Sequence, residues 1–266
     1  MHEGHMSTQG QSSRSSVMAV WSVWLRNALV WRKLAIPSLT GNVLDPLMGL
    51  LAFGFGVGGM LPAIDGQPYL NYLVCGTLAM SAMHAATFEA LYSAFSRMHV
   101  QRTWEAIMNT PVRLPEIVLG EWVWAASKSV MSSTAMLLVV ACLGIGSPWV
   151  WFQVFLCLVV GALMFAALAL CVNARAPGYD FFMFYFTLCV TPMTFLSGAF
   201  FPRSQLPGAL QTVADLLPLS LLVDMVRAAF NGAISNAWPQ MLGVVAYLVA
   251  GIVTALRWSA QRFARA

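Results

Sequence analysis

The sequence predicts an all-α integral membrane protein with six transmembrane helices, and three observations carry that reading. Of 266 residues, 59% are hydrophobic and only 9% charged, whereas a soluble domain carries about 25% charged residues. So few charges cannot cover a water-facing surface, and lipid must do the covering. The apolar residues gather in six blocks, each long enough for a hydrocarbon core about 30 Å thick. The basic residues are also segregated. Arg14, Arg26, Arg32, Lys33, Arg97, Arg102, Arg113, Arg175, Arg257, Arg262 and Arg265 fall on the side of the termini and even loops, against Arg203 and Arg227 on the other. That bias places both termini in the cytoplasm.

Residues 1–16 are rich in Ser, Gln and Gly and are expected to form a disordered tail. They lack the basic start, apolar core and cleavage site of a signal peptide. Across 17–35, apolar residues alternate with Trp21, Trp24, Arg26, Trp31, Arg32 and Lys33, which suits an amphipathic helix lying in the interface. The six-span unit is expected to fill 36–266. Span one covers about Ile36 to Gly58, carries Asn42, Asp45 and Pro46, and ends in GFGVGG. Those glycines lack the Lys-Ser/Thr of a phosphate loop, so close packing is the better reading. Span two (Tyr69 to Leu91) holds His84 and Glu89, and span three (Ile117 to Gly144) holds Glu121 and Lys128. Span four (Pro148 to Val172) is almost uninterruptedly apolar, span five (Tyr179 to Phe201) contains Pro192, and span six covers Trp238 to Trp258.

Arg97 to Glu121 is the longest polar interruption between apolar blocks. Val100, Trp104, Ile107 and Met108 fall at i, i+4, i+7 and i+8, one stripe on a short helix, with Arg102 and Glu105 on its flank. Pro111 stops this helix, because Pro disfavours helical geometry in the residue before it. Such a helix either lies on the bilayer or docks in a partner. Between Phe201 and Trp238 the chain is too apolar for a simple loop. Leu219, Leu222, Val223 and Val226 form a stripe, and Asp224 and Arg227 sit at i, i+3. A short external re-entrant helical segment packed against protein is expected there.

Charges inside the spans need partners or water. Asp45 and Lys128 lie at similar depth from the cytoplasm at about 1.5 Å per residue, so they are expected as an intramembrane charge pair or as part of a substrate path. Glu89 and Glu121 sit near the cytoplasmic face, to snorkel there or meet the short loop helix. His84 reads as a packing or hydrogen-bonding histidine. Cys75, Cys142, Cys157, Cys171 and Cys189 form no CxxC pair and read as small buried hydrophobes. No nucleophile–base or metal-ligand cluster supports a membrane enzyme, and no catalytic, cofactor or metal residues are expected.

Specific pieces then point to a family. Leu44-Asp45-Pro46-Leu47, Phe88-Glu89-Ala90, Ser96-Arg97-Met98, Thr103-Trp104-Glu105-Ala106-Ile107 with Thr110-Pro111, Val118-Leu119-Gly120-Glu121, Phe195 to Pro202 (FLSGAFFP) and Leu217-Pro218-Leu219 with Val223-Asp224 and Arg227 resemble the type-2 ABC export permeases. Within these, the resemblance is nearest to the nodulation-factor (lipo-oligosaccharide) exporter subgroup and spans nearly the whole chain from Trp21. Leu221 stands where that family usually has a His. The resemblance implies a permease subunit in the bacterial inner membrane that works as a homodimer. ATP and Mg would reside on a separate, NodI-like ABC ATPase. It implies that the loop helix with Val100, Arg102, Trp104, Glu105, Ile107 and Met108 is the ATPase-coupling helix. It also implies outward movement of an amphiphilic substrate, with no nucleic acid involved. The chain itself contains no G-x-x-x-x-G-K-[ST]. A drug-efflux permease is one alternative. A proton-coupled secondary transporter using Asp45, His84, Glu89 and Lys128 is another, though no internal repeat supports it.

Overall fold

The computed structural model describes residues 5–60, 63–64 and 66–265, and every regular element among them is helical. Helix α1 (His5–Arg32) begins within the segment expected as a disordered tail, while residues 1–4 lie outside the described residues. A turn at Leu34 leads into α2 (Ala35–Leu51), which widens into a π-helical turn at Ala52–Val57. Helix α3 (Tyr69–Phe88) continues through two more such turns, Glu89–Ser93 and Ser96–Val100. Then follow α4 (Thr103–Met108), α5 (Leu114–Cys142) and α6 (Pro148–Arg175). Helix α7 (Tyr179–Tyr185) passes through a π-helical turn, Phe186–Val190, into α8 (Thr191–Leu196). Helices α9 (Gly208–Leu216), α10 (Pro218–Phe230) and α11 (Trp238–Phe263) complete the chain.

Five stretches are long and apolar enough to cross a membrane: Ala35–Gly56, Leu114–Cys142, Pro148–Arg175, Tyr179–Leu196 and Ile234–Phe263. The remaining expected span, Tyr69 to Leu91, corresponds to α3, which is helical but not among these five. Asn71, Ser81 and His84 dilute its apolar character. The reason is its place in the bundle: α3 is buried along nearly its whole length, so protein rather than lipid surrounds it. In contrast, α2 buries only Leu50 and exposes Leu44, Met48 and Leu51.

Helix α1 packs along α5, with Val23 buried against Gly120 and the Trp24 Nε1 donating to Ser127 Oγ at 3.1 Å. Small residues allow the closest approaches in the bundle. Gly251 of α11 rests on Ala167 of α6, and Cys171 Sγ bonds to the Gly251 carbonyl at 2.8 Å. Gly76 of α3 lies under Ala199, where an added Cβ would come within 2.5 Å of the Ala199 carbonyl oxygen.

The loop after α8 is pinned to α3 at the end of the bundle opposite α4. Gly198 adopts φ +80°, and its carbonyl accepts from Tyr72 Oη at 2.8 Å and Arg227 Nη2 at 3.0 Å. Tyr69 Oη reaches the Phe200 carbonyl at 3.1 Å. Helix α10 lies beside this loop with Leu219, Leu222, Val223 and Val226 fully buried, the same four residues as the sequence stripe.

The Gly76 contact makes a stability forecast. Gly76→Ala forces a backbone shift at Ala199 and costs about 1–3 kcal/mol. Gly49→Ala on α2, where nothing lies within 4 Å, is neutral or slightly stabilising. Thermal unfolding of the two variants in the same detergent separates these outcomes.

Candidate functional site

A buried cluster of charges forms where the extended end of α3 meets the first half of α5. Helix α5 starts at Leu114-Pro115, and the Arg113 backbone N–H donates to Glu116 Oε2 at 2.8 Å, a side chain answering an orphan donor at the helix start. From there Glu121, Trp124 and Lys128 follow at i, i+3 and i+7, which puts them on one face. Glu89 and Arg97 come from the π-helical turns of α3, a local geometry frequent at functional sites. Arg97 Nε donates to Glu121 Oε1 at 2.9 Å, and Arg97 Nη2 donates to Glu89 Oε1 at 3.0 Å. Lys128 Nζ meets Glu89 Oε2 at 2.7 Å, and Trp124 Nε1 donates to Glu89 Oε1 at 2.7 Å. Burial alone would lower the Arg97 pKa; the charges of Glu121 and Glu89 outweigh it and raise the value.

The π-helical turns free carbonyls that the bundle answers. Asn173 Nδ2 of α6 donates to the Ala90 carbonyl at 2.6 Å. Arg262 near the end of α11 donates to the carbonyls of Asn173, Ala174 and Ala176, and also meets His99 Nε2. The ends of α3, α6 and α11 therefore close on one another beside the cluster.

Helix α4 sits against this cluster, and here the structure corrects one expectation. Val100, Trp104, Ile107 and Met108 do not share one helix. Arg102 takes φ +48° and resets the chain, so Val100 belongs to the preceding turn and α4 begins at Thr103. Trp104 is 1% exposed and does not await a partner. Its Nε1 donates to Glu121 Oε1 at 3.3 Å, and its ring stacks on Phe263. Ile107 and Met108 are half-buried, whereas Val100, Arg102 and Glu105 are exposed. A buried indole usually finds an acceptor for its N–H, and here Glu121 supplies it.

The expected Asp45–Lys128 pair does not form. Lys128 pairs with Glu89, although α2 touches α5 one turn away, where Asn42 Nδ2 donates to Ser132 Oγ at 2.9 Å. Equal depth along two touching helices does not turn their side chains toward each other. Asp45 instead lines a cavity of about 380 Å³ with Asn42, Ser81 and His84, walled by Phe88 and Phe186. At the opposite end, Asp224 Oδ2 takes Arg203 Nη2 at 2.7 Å, while Arg227 stands farther off at 3.9 Å and lies over the Tyr72 ring. Asp215 meets Arg203 Nε at 2.9 Å. Burial would lower the Arg203 pKa, and the bond and charge of Asp224 reverse this and raise it.

The sequence reading named Glu89, Glu121 and Lys128 but missed Arg97 as the hub and Trp124 as a donor. The i, i+3, i+7 spacing of two ionisable residues and a Trp was the available signal. Among the described residues no group of three His, Cys, Asp or Glu side chains is placed to hold a metal. An exposed polar helix surface connects through one indole to charges seated among the long helices.

Comparison with known proteins adds the context. Residues 18–231 match the family model described as ABC-2 type transporter. The chain is 48% identical over 211 residues to "Nodulation protein J" of Sinorhizobium fredii, covering 78% of this chain and 79% of that protein. It is 50% identical over 210 residues to "Nodulation protein J" of Bradyrhizobium diazoefficiens, covering 77% and 79%. It is 24% identical over 218 residues to the "Inner membrane transport permease YadH" of Escherichia coli, covering 81% and 84%.

A double-mutant cycle tests the charge geometry. Lys128→Met and Glu89→Gln should be coupled by at least ~0.5 kcal/mol, whereas Lys128→Met and Asp45→Asn should add within about 0.5 kcal/mol. Unfolding midpoints of the single and double variants in detergent provide the energies.

Proposed function

Because this chain belongs to the ABC-2 type transporter family, we propose that it is the membrane permease subunit of an ATP-driven exporter. In this reading a separate ABC ATPase docks on the outer surface of α4. The observation that carries it is the two-sided construction of that helix. Glu105 on this helix and Arg102 just before it are exposed, while Trp104 is locked to Glu121. A push on α4 is thereby delivered to α5 and, through Arg97, to α3.

Six spans, with α3 as the central one, give both termini the same side. Its 20 residues rise about 30 Å, enough to cross the hydrocarbon core. The segregation of basic residues supports a cytoplasmic location for the termini and α4, and the name of the E. coli relative supports the inner membrane. Exposed Asp45 on apolar α2 supports a homodimer or a wet central path, because an uncovered carboxylate is costly against lipid. The resemblance to nodulation-factor exporters, with relatives named Nodulation protein J, supports an amphiphilic, lipo-oligosaccharide-like substrate moved outward. A proton-driven reading draws on the cavity shared by Asp45 and His84; transport driven by an imposed pH gradient without any ATPase would favour it.

The purified chain alone should show no ATP hydrolysis, and activity should appear only with the co-expressed ATPase subunit. Reversing both exposed charges, Arg102→Glu with Glu105→Arg, should weaken ATPase recovery at least about fivefold without changing insertion. ATP turnover by the chain alone would contradict the reading, and full ATPase recovery by the reversed variant would remove α4 as the docking element.

A further inference from the structure

We propose that the cavity enclosed by α1, the start of α2 and the facing ends of α3 and α5 binds the phosphate-type anionic headgroup of a bilayer amphiphile. The cavity measures about 450 Å³, and its lining includes Arg26, Asn27, Trp31, Glu89, Arg97 and Lys128, a size suited to a small polar group. Two donors there have no acceptor among the described residues. They are Asn27 Nδ2, on a side chain 3% exposed, and the buried Trp31 Nε1. Folded chains rarely leave two such donors unmade side by side.

The carboxylates of the cluster and the amide oxygen of Asn27 itself are already engaged. Glu89 takes Trp124, Arg97 and Lys128. Glu121 takes Arg97 and Trp104. Asn27 Oδ1 takes Arg26 Nη1 at 3.3 Å. Three cations, Arg26, Arg97 and Lys128, face the two carboxylates, so one positive charge is unmatched. Water would satisfy the orphan N–H groups; an oxyanion satisfies them and also balances that charge. Val30 and Leu34 also line the cavity and are 61% and 63% exposed. An acyl chain attached to the anion finds apolar surface there, which favours a membrane amphiphile over free phosphate. The leaflet from which the site loads rests on the topology proposed above; the binding chemistry does not.

Native mass spectrometry of the full chain in non-ionic detergent tests the site with three probes: short-chain phosphatidic acid, phosphatidylcholine of equal chain length, and inorganic phosphate. The expected result is one saturable phosphatidic acid adduct at concentrations where the other two leave none. Asn27→Leu and Trp31→Phe remove one orphan donor each without touching the ion pairs, and each weakens that adduct about tenfold, as loss of a hydrogen bond to a charged group does. Arg26→Gln supplies a third variant should either of these elute as aggregate. Equal binding of phosphatidic acid and phosphatidylcholine, or unchanged binding in the folded variants, overturns the proposal. Inorganic phosphate displacing phosphatidic acid at equal concentration overturns the headgroup assignment in favour of a free anion. A chain that binds phosphatidic acid but activates no ATPase keeps this site and loses the transport reading; the converse result does the opposite.

Discussion

The constraint on which the rest of this structure depends is the guanidinium of Arg97, held between two carboxylates inside an apolar bundle. Neither Glu89 nor Glu121 is more than a few per cent exposed, and two such anions side by side require a cation. Removing one partner from a buried ionic group typically costs about 3–5 kcal/mol. Geometry follows from that requirement. The guanidinium reaches both acids from the π-helical turns at the end of α3, and Asn173 answers the Ala90 and Leu91 carbonyls of the first of those turns. Trp104 then uses a remaining lone pair of Glu121, which fixes the position of α4.

The opposite end of α3 is held by a different chemistry to the same effect. Tyr69, Tyr72 and Arg227 bond to the backbone of the loop at 197–202, while Arg203 joins that segment to Asp215 and Asp224. Between the two ends, glycine and alanine contacts bring α3, α6, α10 and α11 into close register. These helices form one tightly packed body. Helices α2 and α7–α8 bury far fewer residues. Elements with few buried contacts are the ones that open at low free-energy cost, so the physical division between a stiff core and looser outer helices is already present in the packing.

Much of the architecture was legible from residue type and spacing, and the failures have specific causes. Apolar block length located α2, α5, α6, α7–α8 and α11 to within a few residues, because lipid imposes a length that sequence displays directly. The α10 stripe was readable for the same reason: Leu219, Leu222, Val223 and Val226 occupy one helical face. Trp104 shows where such reasoning stops. Periodicity marks an apolar stripe but does not say whether the chain itself or a partner covers it, and the φ +48° at Arg102 is invisible in a helical count. Lys128 shows a second limit. Helix rise places a residue in depth but does not say toward which neighbour it turns: α2 and α3 both touch α5, and Lys128 meets Glu89 rather than Asp45.

The central claim is that the buried cluster, through Glu121, seats α4. Hydrogen–deuterium exchange of the full chain in detergent measures this most directly, comparing wild type with Glu121→Leu. The account predicts that the amides of Thr103–Met108 and of Ser96–Val100 exchange faster in the variant, while α11 and the loop at 197–202 keep their protection. Unchanged exchange across α4, in a variant that is folded and lacks the carboxylate, would contradict it.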